Sequence, residues 1–141
     1  MAEIQAIIDA IIVVQKALTV PSGQKDIQQF TDEPPASIGV LPAFLNLVAN
    51  GKSDNRAHGH PQATHNINMH LLFSTATKKY PRRQAHAWLE SVMAGFPIAG
   101  TIGGTVFRTL SLEWDFNEDD FPWGESLYDA LSFVLEVEVD R

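Results

Sequence analysis

The chain has no cysteine among its 141 residues, which excludes thiolate zinc sites, disulfide staples and thiol redox chemistry. It needs no staple, because a domain of this length buries about two-thirds of its unfolded surface. No apolar run approaches the roughly 20 residues of a membrane-spanning helix. The most apolar stretch, Ala6 to Val14, is preceded by Glu3 and interrupted by Asp9, with no basic leader and no small-residue cleavage site, so no signal peptide is expected. Also missing are a G-x-S-x-G elbow, an H-E-x-x-H pair, and a Gly-Lys-Ser after the glycine-rich stretch 95–104. Positive charge is scarce: 10 Lys and Arg stand against 17 Asp and Glu, for a net charge of −7. Gripping duplex DNA needs a broad basic surface, and the four charges of the one basic run, residues 78–83, are thin support for it. Aliphatic and aromatic content is that of a folded globular protein, and one domain over 1–141 is expected.

The few charges are unevenly placed. Ten of the 17 acidic residues lie between Glu113 and Asp140, and only Arg141 answers them. The densest basic run is Lys78-Lys79-Tyr80-Pro81-Arg82-Arg83. An acidic end and a basic loop suit docking between protein surfaces, where charge sets orientation more than affinity. The residues expected at such a contact are Lys78, Lys79, Arg82 and Arg83 on one side. On the other are Asp115, Glu118, Asp119, Asp120 and Glu125.

Four of the five histidines, His58, His60, His65 and His70, fall within one short stretch. His58 and His60 bracket Gly59, His65 could join them, and Asp54 is the nearest carboxylate, a set that zinc would accept. Against a metal site, Lys52 to Thr64 reads as a polar loop with no rigid scaffold, and solvated loop histidines are common. No metal, cofactor or catalytic constellation is assigned. A small metal-dependent enzyme using His58, His60 and His65 is the competing reading from another class. His70 is expected to face away from the apolar side of its strand, and His86 to sit at the edge of the core. Asp115 to Asp120 has some of the acids of a calcium loop, but its sixth position is Asp120 instead of glycine and its twelfth is Ser126 instead of glutamate, so a solvated acidic turn is favoured.

Periodicity predicts the elements. Met1 to Leu18 reads as an amphipathic helix, with Ile4, Ile7, Ile8, Ile11, Ile12, Val14 and Leu18 at helical spacing and Glu3, Gln5, Asp9, Gln15 and Lys16 on the other side. Gln24 to Gly39 is polar, and its prolines hold it extended. Leu41 to Ala49 favours a buried strand. Asn66 to Thr75 alternates, with Ile67, Met69, Leu71 and Phe73 on one face. Pro81 to about Phe96 reads as a second helix with Trp88, Leu89, Val92, Met93 and Phe96 on its apolar stripe, Pro81 in the first turn and Gly95 as a stop signal. Thr105 to Phe116 is a strand with Val106, Leu110, Leu112, Trp114 and Phe116 on one face and Arg108 as the exception. Asn117 to Gly124 is an acidic loop and Leu127 to Asp140 the last strand. The order helix, strand, strand, helix, strand, strand implies an α+β fold: an antiparallel sheet of about four strands, two helices on one face, and a long C-terminal hairpin. A twelve-residue strand spans about 40 Å, against a radius of gyration near 14 Å for such a domain. The hairpin must therefore bend or project.

In this order and pattern the chain resembles the tail terminator (tail completion) proteins of long-tailed bacteriophages. The likeness lies in the N-terminal helix, DEPPASIGVLPAFLNL leading into a first strand, INMHLLFSTATKKYPRRQAHAWLESVMAGF as strand then helix, and the closing hairpin TVFRTLSLEWDF…WGESLYDALSFVLEVEV. It covers nearly the whole chain, and the loop Lys52 to Thr64 is not part of it. The resemblance implies a virion protein that forms a six-subunit ring on the tail tube, stops tube growth and presents the surface to which the head attaches. Its partners would be further copies of itself, the tail tube protein and a neck or head-completion protein, with assembly in the host cytoplasm and no membrane contact. DNA would pass through the ring without specific binding, which suits a negative net charge. The family has no catalytic residues or cofactor to carry over. Related head–tail connector and neck proteins share much of the pattern and form the second reading.

Overall fold

The structure, a computed structural model, describes residues 3–32, 40–56, 60–73, 81–123 and 126–140, without the side chains at 3, 53–56, 60–62, 81–82, 118–120, 123, 126–127 and 140. Its elements are α1 (Glu3–Lys16), β1 (Gln29–Thr31), β2 (Ala43–Arg56), β3 (His60–Phe73), α2 (Pro81–Gly95), β4 (Arg108–Trp123) and β5 (Ser126–Asp140). The fold is α+β, as periodicity predicts. The sheet has five strands in the order β1-β2-β3-β5-β4. The addition to the expected antiparallel sheet is β1, which pairs with Ala43–Leu45 in parallel and makes the sheet mixed. Three residues from the extended polar segment form it, too short a run to show a period.

The centre is the antiparallel pair β3 and β5. Ile67, Met69 and Leu71 stand directly opposite Leu135, Phe133 and Leu131, and all six are buried on the face that the helices cover. From α1 come Ile7, Ile8 and Ile11, and from α2 Trp88 and Val92, with Phe96 just beyond its end. Trp88 is 1% exposed, as its place on the apolar stripe predicts. Among the described residues the opposite sheet face carries no helix. A smaller apolar cluster sits on it, made of Leu45, Leu72, Tyr128 and Ala130 with Leu41 and Phe121 against them.

Both outer strands are longer than periodicity suggests. Lys52 to Thr64, expected as a loop, is mostly ladder: β2 and β3 pair out to Arg56 and His60. Likewise Asn117 to Trp123, expected as an acidic loop, belongs to β4. Polar residues hide these strands because nothing apolar is needed where the sheet outruns the helices. Irregular registers between Val48 and Asn50, Thr109 and Ser111, and Asn117 and Phe121 bend the outer strands, as inserted residues do. The shift near Leu110 also accounts for Arg108. It reverses the alternation, so Leu110 is out of phase with Leu112 and Trp114, and Arg108 pairs opposite Glu138 on the uncovered face.

Gln15 departs from its expected solvent face and is 2% exposed. It lies one turn after Ile11 and so continues the buried stripe. Its amide is satisfied by a second buried amide. Gln15 Nε2 donates to Asn46 Oδ1 at 2.7 Å and Asn46 Nδ2 donates back to Gln15 Oε1 at 2.9 Å. Gly95 also has another role than the expected stop. Its φ is not positive, and a Cβ there would collide with the Leu18 side chain, so the glycine gives room for the chain after α1 to cross α2.

The amide pair generates a prediction. Gln15→Leu strands the buried Asn46 amide and should destabilise the fold by about 1–3 kcal/mol. Gln15→Leu with Asn46→Leu should recover part of that loss, measured as urea midpoints. A single variant as stable as wild type would show that the pair does not anchor α1.

Candidate assembly surface

Where α2 ends, Phe96 N–H donates to Val92 O at 3.1 Å and Pro97 stops the helix. The chain then turns through Ala99 at φ 66°, Ile102 at 48°, Gly103 at 64° and Gly104 at 82°. A β-branched residue in the left-handed region is strained; Ile102 is held there because its side chain is buried in the main core. Ala99 and Gly100 bond to Thr109 through Ala99 N–H to Thr109 O at 2.8 Å and Thr109 N–H to Gly100 O at 2.9 Å. This clamp closes the outer edge of β4 at Thr109 and leaves it open beyond, among the described residues. Met93, Phe96, Pro97, Ile98, Leu112 and Trp114 enclose an open groove of about 190 Å³ there. Trp114 is 50% exposed, Ile98 62% and Met93 43%. Contiguous exposed apolar side chains of this kind mark an interaction surface.

The uncovered face of the sheet is polar. Asn66 Nδ2 donates to Asn50 Oδ1 at 2.6 Å, and Arg108 Nε donates to Glu138 Oε1 at 3.2 Å. His70 Nδ1 lies 2.8 Å from Ser132 Oγ. As expected, His70 points away from the helices, but it is half-buried. The Phe121 ring lies 4.8 Å from its own, centroid to centroid. The far end of β4 thus folds over the bare face towards β3, so the long hairpin bends. His70 and Ser132 could exchange a proton, yet Asp129, opposite Phe73 on the helix side, cannot orient the imidazole.

The expected contact residues fall in three groups. Arg83 and Asp115 are exposed. Arg82 lies in the first turn of α2, and Glu118, Asp119 and Asp120 in the irregular part of β4, as backbone only. Lys78, Lys79 and Glu125 lie outside the described residues, as does His58. The topology places the end of the β4–β5 hairpin at the end of the sheet where β3 finishes at Phe73, because Phe73 pairs with Asp129 near the start of β5. The β2–β3 hairpin points the opposite way. His60 and His65 stand five residues apart on one regular strand, at positions of opposite sheet faces. His65 lies against Gly51, where a Cβ would come 2.8 Å from its Nδ1. Among the described residues no three His, Asp or Glu side chains are grouped to hold a metal, and no helix is long and apolar enough to cross a membrane. His86 is exposed on α2, away from the core edge expected for it.

Sequence reasoning missed the groove because Ile98 sits in a loop and Trp114 reads as one more residue of a core stripe. The usable signal was the pair of glycines after Ile102, which bring that loop back onto β4. No protein-family model matches the chain, and no curated protein matches it either.

Burial lowers the His70 pKa below its ordinary value of 6.5. The unfolded chain therefore takes up a proton at His70 more readily than the folded one. This site's contribution is present above about pH 6.5 and is lost as pH falls from there towards the folded-state pKa. Replacing His70 with Gln should flatten the stability profile just below that pH. An identical slope for both proteins in urea titrations would show that His70 titrates freely when folded.

Proposed function

We propose that this chain is a ring-forming structural protein of a long-tailed phage, the tail terminator that caps the tail tube and offers the head its attachment surface. The observation that carries the reading is the exposed apolar groove of Met93, Ile98, Leu112 and Trp114 beside an open strand edge. A monomer gains nothing from such a surface, whereas a subunit of an assembly buries it. The resemblance in element order supplies the identity of the assembly. Support also comes from the two hairpins at opposite ends of the sheet, which give a ring two chemically different rims. One rim would be the β2–β3 end at Arg56 and His60, the other the β4–β5 end at Trp123 and Ser126. A second head–tail connector or neck role would use the same features, but only a terminator limits tube length.

Native mass spectrometry at micromolar concentration should show a six-subunit species, and addition to polymerising tube protein should shorten the tubes. A monomer at every concentration, with tubes of unchanged length, would overturn the reading. Reversing Arg82 and Arg83 to Glu should weaken docking on the tube or neck partner and leave the subunit folded. Exposed pairs contribute under about 1 kcal/mol each and are screened by salt, so the loss should be largest at low ionic strength.

A further inference from the structure

We infer that neighbouring copies of this chain join edge to edge, the outer edge of β2 in one adding to the outer edge of β4 in the next. The inference rests on the ring reading and supplies its subunit contact. Two stretches of strand lack an outer neighbour among the described residues. On β2 the edge is open after Leu45, where β1 stops. On β4 it is open from Ser111, past the clamp at Thr109. In both, consecutive residues are exposed whichever face they belong to: Val48 to Gly51 on one, Glu113 to Asp115 on the other. Exposed strand edges of this kind invite another strand.

Charge decides which strand. From Arg108 to Trp123 the sequence carries Glu113, Asp115, Glu118, Asp119 and Asp120 against the single Arg108. From Ala43 to Arg56 it carries Lys52 and Arg56 against Asp54. Pairing β4 with β4 would bring acids onto acids, and pairing β2 with β2 would bring lysine near lysine. The mixed pair is the most complementary, since it sets the strongly acidic strand against the one with a net positive charge, and like charges across strands are destabilising. A contact between two different edges is heterologous, and it closes into a ring when its rotation allows.

Direction agrees with this. Within the sheet β2 and β4 run antiparallel, since each boundary from β2 through β3 and β5 to β4 is antiparallel. A second copy placed beside the first by a rotation therefore continues the antiparallel alternation. One register satisfies both faces. Lys52 opposite Glu113 and Asn50 opposite Asp115 meet on the uncovered face. On the helix face, Trp114 then lies over Gly51, which has no side chain, and Phe116 meets Val48, with Ala49 as the extra residue of the β2 irregularity. An aromatic ring across from an edge glycine covers backbone that would otherwise stay wet. This contact would also cover part of the groove beside Trp114.

The absence of cysteine makes the test direct. Directly opposed antiparallel residues lie within the reach of a disulfide, and residues displaced by two positions do not. The full chain carrying Lys52→Cys and Glu113→Cys, oxidised after assembly, should run on denaturing gels as a ladder ending at the ring size, and Asn50→Cys with Asp115→Cys should do the same. Either single variant should stay monomeric on the gel, and a mixture of the two singles should stop at dimer. Native mass spectrometry of the unmodified chain and of each unoxidised variant separates the two levels. Rings without a ladder from either pair overturn the edge contact and leave the ring reading standing. A monomeric wild-type chain overturns both.

Discussion

Everything else in the structure is hung on the continuous ladder between β3 and β5. Twelve residue pairs run from Gln62–Asp140 to Phe73–Asp129 without a register shift. Because side chains alternate with a period of two, a slip of one residue would turn the whole apolar set of one strand, either Ile67, Met69 and Leu71 or Leu131, Phe133, Leu135 and Val137, away from the helices. Burying a single side chain of this size is worth about 1.5–3 kcal/mol, a large part of the roughly 5–15 kcal/mol that holds a domain together. The register of the central pair is thereby over-determined, and the irregularities are confined to β2 and β4.

That division explains which parts of the fold were legible in the sequence. Ile67 to Phe73 and Leu131 to Val139 alternate cleanly because one face is core and the other is bare. The helices were legible from their stripes, down to the burial of Trp88. In the outer strands alternation fails for two reasons. Single inserted residues at Ala49 and Leu110 reset the phase, the irregularity at 118–120 interrupts the pairing, and past the reach of the helices neither face needs apolar side chains. Polar strand and polar loop then look alike, which is how Lys52 to Thr64 and Asn117 to Trp123 came to read as loops. Gln15 fails for the opposite reason. Its position follows the core stripe, but its chemistry argues for solvent until Asn46 is known to face it. A pairing between residues so distant in sequence leaves no local trace.

The site was less legible than the fold. The basic and acidic clusters were visible as charge, but their relation was not. Strand order places the end of the β4–β5 hairpin at the end of the sheet where β3 finishes. In the proposed ring, the acidic end of that hairpin would suit an axial neighbour better than a contact between subunits. The histidine stretch changes meaning too. Most of it is strand, where Lys52 to Thr64 was expected to be a polar loop.

In the proposed ring, lateral contacts would be left to the sheet edges, and here the irregularities matter. A long flat edge with apolar side chains is an aggregation hazard that proteins blunt by charge, bulges or shortening. In this chain the β1 pairing, the clamp of Ala99 and Gly100 on Thr109, and the irregularity after Asn117 restrict the open edges to short matched stretches. The acids on β4 oppose its pairing with itself. On the proposed pairing, what survives these restrictions is an edge closed to most strands but complementary to the other edge of an identical chain. Protection against indiscriminate association and selection of one partner are then the same physical property, produced by the bulges and charges that depart from a regular sheet.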